Sequence, residues 1–198
     1  MANEMTTYIT IVNGDIKVAN KLKEIFTPKE GEYNSTTIEL INRLYDEDYT
    51  WEINLSNEEN KNAGNTWPEF EWLGNNVGSK WIYSEYNHND DPEFCYLIIC
   101  SAWDFPEGFI KKLSEVLIEI KEDCYLKGTY QDESYVPMGA FIYAKNYNDV
   151  EDLDEEIDQD KMWEDDKYRE KMHSELNNLT IELEDNYKEV LNDKTNQF

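Results

Sequence analysis

The chain has 198 residues, with 44 acids against 18 bases and a formal net charge of −26. That balance excludes binding nucleic acid by counterion release, which needs a basic face. It also repels anionic membranes and favours basic partners. Six Trp, fourteen Tyr and seven Phe exclude global disorder, since a domain of ~150 residues can bury roughly 70% of its unfolded surface.

Thr6–Asn13 alternates and is rich in β-branched residues, which predicts a strand. Gly14 and Asp15 turn the chain. Val18, Leu22, Ile25 and Phe26 then form one apolar stripe on a helix capped by Asp15 and ended by Pro28. A second helix is expected over Thr36–Tyr45, where Thr36 and Glu39 have capping-box spacing. Residues 46–66 read as a polar loop with a short strand at Thr50–Leu55.

From Trp67 a short helix runs to a glycine stop at Gly74 or Gly78, and a strand follows over Ser79–Asn87. Glu93–Trp103 is a second strand, apolar on both parities, which predicts a central position covered on both faces. Asp104 is expected to cap a helix with Pro106 in its first turn. Phe109, Leu113, Val116, Leu117 and Ile120 give that helix its apolar face. Cys124–Tyr130 and Pro137–Ala144 complete the sheet as two strands, joined by a turn at Gln131–Ser134. The expected fold is α+β: an antiparallel sheet in a split β-α-β arrangement, two main helices on one face, and a long C-terminal helix.

That last helix is expected at Lys161–Leu191. Its stripe is Tyr168, Met172, Leu176, Leu179, Leu183, Tyr187 and Val190, stepping by three or four. Positions 168, 179 and 190 are eleven apart, a period that tracks a nearly straight helix. The stripe needs one cover, either the chain's own sheet or another chain. The domain plan is 1–146, with an insertion at 27–66, followed by 147–198 as an acidic linker and the amphipathic helix.

The segments NNVGSKW (75–81), SAWDFPEGFIKKLSEVL (101–117) and GTYQDESYVPMGAFIYA (128–144) resemble the YubB-like ferredoxin-type domains of phages and plasmids. The resemblance covers Trp67–Ala144, with Thr6–Phe26 as the first βα unit. It implies a ferredoxin-like fold and a mobile-element origin, and carries no catalytic residues with it. Within these motifs Gly78 is expected to make a turn and Trp81 and Trp103 to anchor the core. Lys80 is expected to pair with an acid.

Catalytic chemistry finds little support. His88 and His173 lie near no nucleophile motif, and GNNVGSK does not have phosphate-loop spacing. Cys95 and Cys100 fall on opposite faces of a strand, so they share no metal; with Cys124 they read as reduced thiols of a cytoplasmic protein. The amino-terminal residues lack signal-peptide organisation, and no run reaches the roughly 18 apolar residues of a membrane span. Asp152, Asp154, Glu156, Asp158 and Asp160 alternate as calcium-loop ligands do, but without the glycine of the sharp turn. No cofactor or metal is expected, and no enzyme activity.

Eleven of the eighteen residues from Asp149 to Asp166 are carboxylates. Asp149–Asp160 alone holds eight acids and no base, about one charge per ~2 Å as a helix or ~5 Å extended. Duplex DNA carries one per ~1.7 Å. The expected partner-binding set is therefore Asp149, Glu151, Asp152, Asp154, Glu155, Glu156, Asp158, Asp160, Glu164, Asp165 and Asp166. The function it suggests is an acidic phage-type protein that blocks a basic, nucleic-acid-binding surface of a host protein, as an anti-defence inhibitor or DNA mimic, with no direct contact to nucleic acid or membrane. The alternative is an assembly module that forms a homo-oligomer through Met172, Leu176, Leu179, Leu183 and Tyr187.

Overall fold

Alternation in Glu4–Val12 sends Met5, Thr7, Ile9 and Ile11 to one side, where they are buried, and Tyr8 and Thr10 to the other, where they are exposed. A strand with this pattern belongs in a half-covered sheet. In the computed structural model, which describes residues 3–30, 35–45, 68–86, 96–153 and 157–195, it is β1. It is followed by α1 (Ile16–Phe26), α2 (Thr37–Tyr45), α3 (Pro68–Asn76), β2 (Ile82–Tyr86), β3 (Tyr96–Ala102) and α4 (Glu107–Ile120). Then come β4 (Tyr125–Asp132), β5 (Met138–Ala144), β6 (Tyr147–Asp152), α5 (Gln159–Glu164) and α6 (Asp166–Thr195). The fold is α+β. Its six described strands form one open antiparallel sheet, ordered β2-β3-β1-β4-β5-β6.

Local rules account for most boundaries. Asp15 accepts hydrogen bonds from the backbone N–H of Lys17 and Val18 and starts α1. Glu39 reaches back to the Thr36 N–H at 2.9 Å, one half of the expected capping box. Gly78, at φ +86°, ends the turn after α3; an added Cβ would sit 3.1 Å from the Glu107 nitrogen. Asp104 does not cap α4: Pro106 occupies the N-cap position, with no side-chain bond there.

The main core joins Met5, Ile9 and Ile11 of β1 and Leu97 and Ile99 of β3 to α1, α2 and α4. Leu22, Ile25, Phe26, Leu40, Ile41, Phe109 and Leu113 are fully buried there. On the other side of the sheet the long helix α6 lies against β5 and β4. Leu183 and Tyr187 meet Tyr125, Ala140 and Ile142, while Met172 and Leu176 meet Met138 and Met162.

Three expectations change. Residues 147–152 are a strand instead of a linker, reached through a tight turn at Lys145 and Asn146; Asn146 takes the left-handed conformation (φ 60°) that Asn tolerates. The tail helix is broken at Asp165, whose backbone is extended and whose carboxylate accepts from Lys167 N–H and Tyr168 N–H, so one residue ends α5 and starts α6. β3 is central, yet it is not covered on both faces. Tyr96 is 41% exposed and Ile98 is half-buried, because α6 lies over β4 and β5 and stops short of them. The expected loop at 46–66, with its strand at Thr50–Leu55, lies outside the described residues.

Candidate functional site

β6 is the last of the described strands in the sheet, and α6 runs beside it. Pairing alternates along β6: Ala140 faces Glu151, Ile142 faces Asp149 and Ala144 faces Tyr147. Ala140, Ile142 and Ala144 pack against α6, so Glu151, Asp149 and Tyr147 share its side of the sheet. Glu175 and Glu182 are two turns apart on α6. Together Glu151, Asp152, Glu175 and Glu182 line a groove of about 290 Å³, completed by Leu153, Asn178 and Leu179. Three of the lining residues, Glu151, Glu175 and Glu182, bring carboxylates to this side of the sheet and none is a base, so the groove favours a cation; the Asp152 carboxylate turns to the other face, toward Tyr130.

Tyr130 holds this end of β6 from the opposite face of the sheet. Its hydroxyl donates to Asp152 at 2.7 Å, and burial beside that carboxylate pushes the phenol well above its ordinary value. The ring crosses Gly139, which faces Tyr130 on one side and Asp152 on the other. A Cβ on Gly139 would stand 2.3 Å from both the Tyr130 hydroxyl and the Glu151 carbonyl. Glycine is required for this close approach.

A second acid anchors α6 to the sheet. Glu184 accepts from the Tyr125 hydroxyl at 2.5 Å and pairs with Lys127 at 3.0 Å and Lys188 at 3.2 Å. Burial opposes its ionisation, but the bonds from Tyr125, Lys127 and Lys188 outweigh burial and draw the carboxyl down to about 2.

The expected acidic set is divided among several tasks. Asp154, Glu155 and Glu156 lie outside the described residues. Asp158 caps α5 and pairs with Lys161 at 2.9 Å, and that side-chain bond lowers its pKa. Asp165 caps α6, Asp166 pairs with Arg169, and Asp152 holds Tyr130. Asp160 and Glu164 are exposed on α5. Of the expected set, Glu151 alone brings its carboxylate into the groove, and Asp152 borders it only through the strand; Asp149 lies on the same side of β6 as Glu151. The described run spans a strand and a helix and does not form one continuous charged rod. Glu175 and Glu182 were missed, because in sequence they look like ordinary solvated positions on a helix.

The stripe residues Met172, Leu176, Leu183 and Tyr187 are buried against the chain's own sheet, with Leu179 packed beside them. Ile181 and Leu191 are exposed on the remaining surface of α6. Trp103 is 44% exposed, with the Lys80 ammonium 4.0 Å above its ring. It is no core anchor, and Lys80 makes a cation–π contact there. Trp81 is half-buried and stacks on Tyr83. Tyr83, Tyr8 (51% exposed) and Tyr96 share the uncovered face of the sheet by their register and make it aromatic.

Cys100 and Cys124 are buried thiols, His173 is exposed, and Cys95 and His88 lie outside the described residues. Among the described residues no three His, Cys, Asp or Glu side chains converge as metal ligands, and no described helix is long and apolar enough to cross a membrane. Comparison with protein-family models, curated proteins and solved structures returns no match.

Proposed function

We propose that this is a non-enzymatic acidic binding protein that docks on a basic surface of a partner protein and blocks it, as an inhibitor of a nucleic-acid-binding groove would. The observation that carries the reading is the groove between β6 and α6, where Glu151, Glu175 and Glu182 bring three carboxylates and no base lines the wall. Steering by opposite charge would speed the encounter and make it salt-sensitive.

The proposed mobile-element setting rests on the resemblance to YubB-like domains. The strand order β2-β3-β1-β4, all antiparallel, with α1 to α3 between β1 and β2 and α4 between β3 and β4, supports a ferredoxin-like core. In that description α1 and α4 are the two main helices on one face, and β5, β6, α5 and α6 extend the core. An anti-defence inhibitor acting in a host cytoplasm is the sharpest form of the proposal.

Affinity capture from bacterial lysate tests it. A basic nucleic-acid-binding protein should be retained by the wild type, released by added duplex DNA, and lost with the Glu151→Gln, Glu175→Gln, Glu182→Gln triple variant. Capture that neither DNA nor the triple substitution weakens would overturn the proposal. The assembly alternative gains less support, since the stripe it would use already packs on β5.

A further inference from the structure

The sheet has two edges, and they differ. Along β2 the outer edge is met by the chain itself: Ser35 bridges Ser84, and the Thr37 hydroxyl both donates to the Ile82 carbonyl and accepts from its N–H. Along β6 no described strand follows. The hydrogen-bonding phase of β6 can be read from one contact. Leu153 N–H donates to the Met138 carbonyl at 2.9 Å, so Met138 and Leu153 form a bonded pair. In an antiparallel ladder, bonded pairs recur every second residue. Glu151, Asp149 and Tyr147 therefore turn their backbone groups toward β5. Asn148, Val150 and Asp152 turn theirs outward, where they present a ready template for another strand.

From this we infer that the β6 edge takes up an extended basic segment of a partner as a seventh strand, with lysine or arginine at alternate positions. The inference rests on the proposed function and specifies how that surface would be used. The edge is the site, and the acids select its occupant. A strand added to β6 would direct every second side chain to the side of the sheet where Glu151 faces Glu175 and Glu182 of α6. Three carboxylates there would meet the cations on that side of the added strand. Strand addition gives affinity through the main chain and specificity through alternate side chains. A neutral strand would gain only the backbone bonds, and an acidic one would be repelled. The same charges guard the edge against pairing with a second copy of this chain, which would bring acid against acid.

The test uses a synthetic eight-residue peptide of alternating lysine and valine, and the same peptide N-methylated at every second residue so that one edge cannot pair. Binding is measured by calorimetry on the full chain, and amide exchange is followed at Asn148, Val150 and Asp152. The plain peptide should bind and slow exchange at these three amides. The N-methylated peptide should bind about tenfold more weakly or worse, and so should the plain peptide against the Glu151→Gln, Glu175→Gln, Glu182→Gln variant. Equal binding of both peptides, with the acid variant still impaired, would overturn strand addition and leave the basic-surface reading standing. Equal binding to the wild type and the acid variant would overturn both. Folding of the variant is checked by its thermal transition, and Glu189→Gln, on α6 but outside the groove lining, serves as a charge control that should not change the affinity.

Discussion

Tyr130, Gly139 and Asp152 show how single residues hold the β6 end in place. The Tyr130 ring can reach Asp152 only because Gly139 has no side chain. Gly139→Ala should therefore cost about 1–3 kcal/mol, as overpacking does, measured by urea denaturation. Tyr130→Phe keeps the ring and removes one hydrogen bond to a carboxylate, so a loss of about 1.5–3 kcal/mol is expected. An unchanged midpoint for Gly139→Ala would mean that the ring does not cross the strand there.

Glu184 gives a second prediction at this scale, with a defined sign in pH. Its carboxyl titrates at about 2 in the fold against an ordinary value of 4.5. A depressed carboxyl stabilises the fold fully above the unfolded value, and that contribution is lost as pH falls from about 4.5 through about 2. Tyr125, Lys127 and Lys188 then lose their acceptor, and α6 is held less tightly. Glu184→Gln should flatten acid denaturation in this window while lowering stability at neutral pH. A wild-type acid limb that the substitution leaves unchanged would argue against this anchor.

Among the elements, α6 is where local rules and tertiary packing divide the work most clearly. Asp165 starts the helix through two backbone N–H groups, so Asp165→Ala should cost about 1 kcal/mol, read from thermal denaturation. Leu183 is fully buried against β5, so Leu183→Ala should cost about 2–5 kcal/mol. Sedimentation of that variant should show no change in oligomeric state. If the wild type proved oligomeric and Leu183→Ala dissociated it, the stripe would belong to an interface between chains.

The stripe was legible in the sequence because burial of a helix against a single surface leaves a three-four periodicity; α1 and α4 were legible for the same reason, and β1 through the two-residue alternation of a half-covered strand. β6 was not. Its sequence is dominated by acids that suit an edge strand, and acids in a row read as a solvated linker. The usable signal was the turn before it, where Asn146 at a positive φ joins β5 to the next strand. The break at Asp165 was hidden because an aspartate inside an acidic run does not announce itself as a cap. Both-parity hydrophobicity in β3 pointed to two-sided burial, whereas the structure leaves Tyr96 exposed. Sequence pattern reports what a strand can bury and does not say how far a neighbouring helix reaches. Glu175 and Glu182 join the groove only through the packing of α6 on the sheet, a long-range fact with no local trace.

For the molecule as a whole, charge is the dominant property. Residues 157–193 together with β6 carry fifteen acids against five lysines and arginines. Several acids are consumed in capping and pairing, so net charge alone overstates what a partner would meet. The association rate with a basic partner should still fall steeply between low and physiological salt, since the Debye length shortens from roughly 30 Å at 0.01 M to 8 Å at 0.15 M. Stopped-flow mixing at the two salts measures this, and a rate indifferent to salt would leave the acidity as a solubility device.

The most direct measurement compares the affinity of one lysine-valine alternating peptide for the wild type and for the chain carrying Glu151→Gln, Glu175→Gln and Glu182→Gln. A groove built to receive cations predicts a loss of about tenfold or more. Equal affinity for the two proteins would contradict the account.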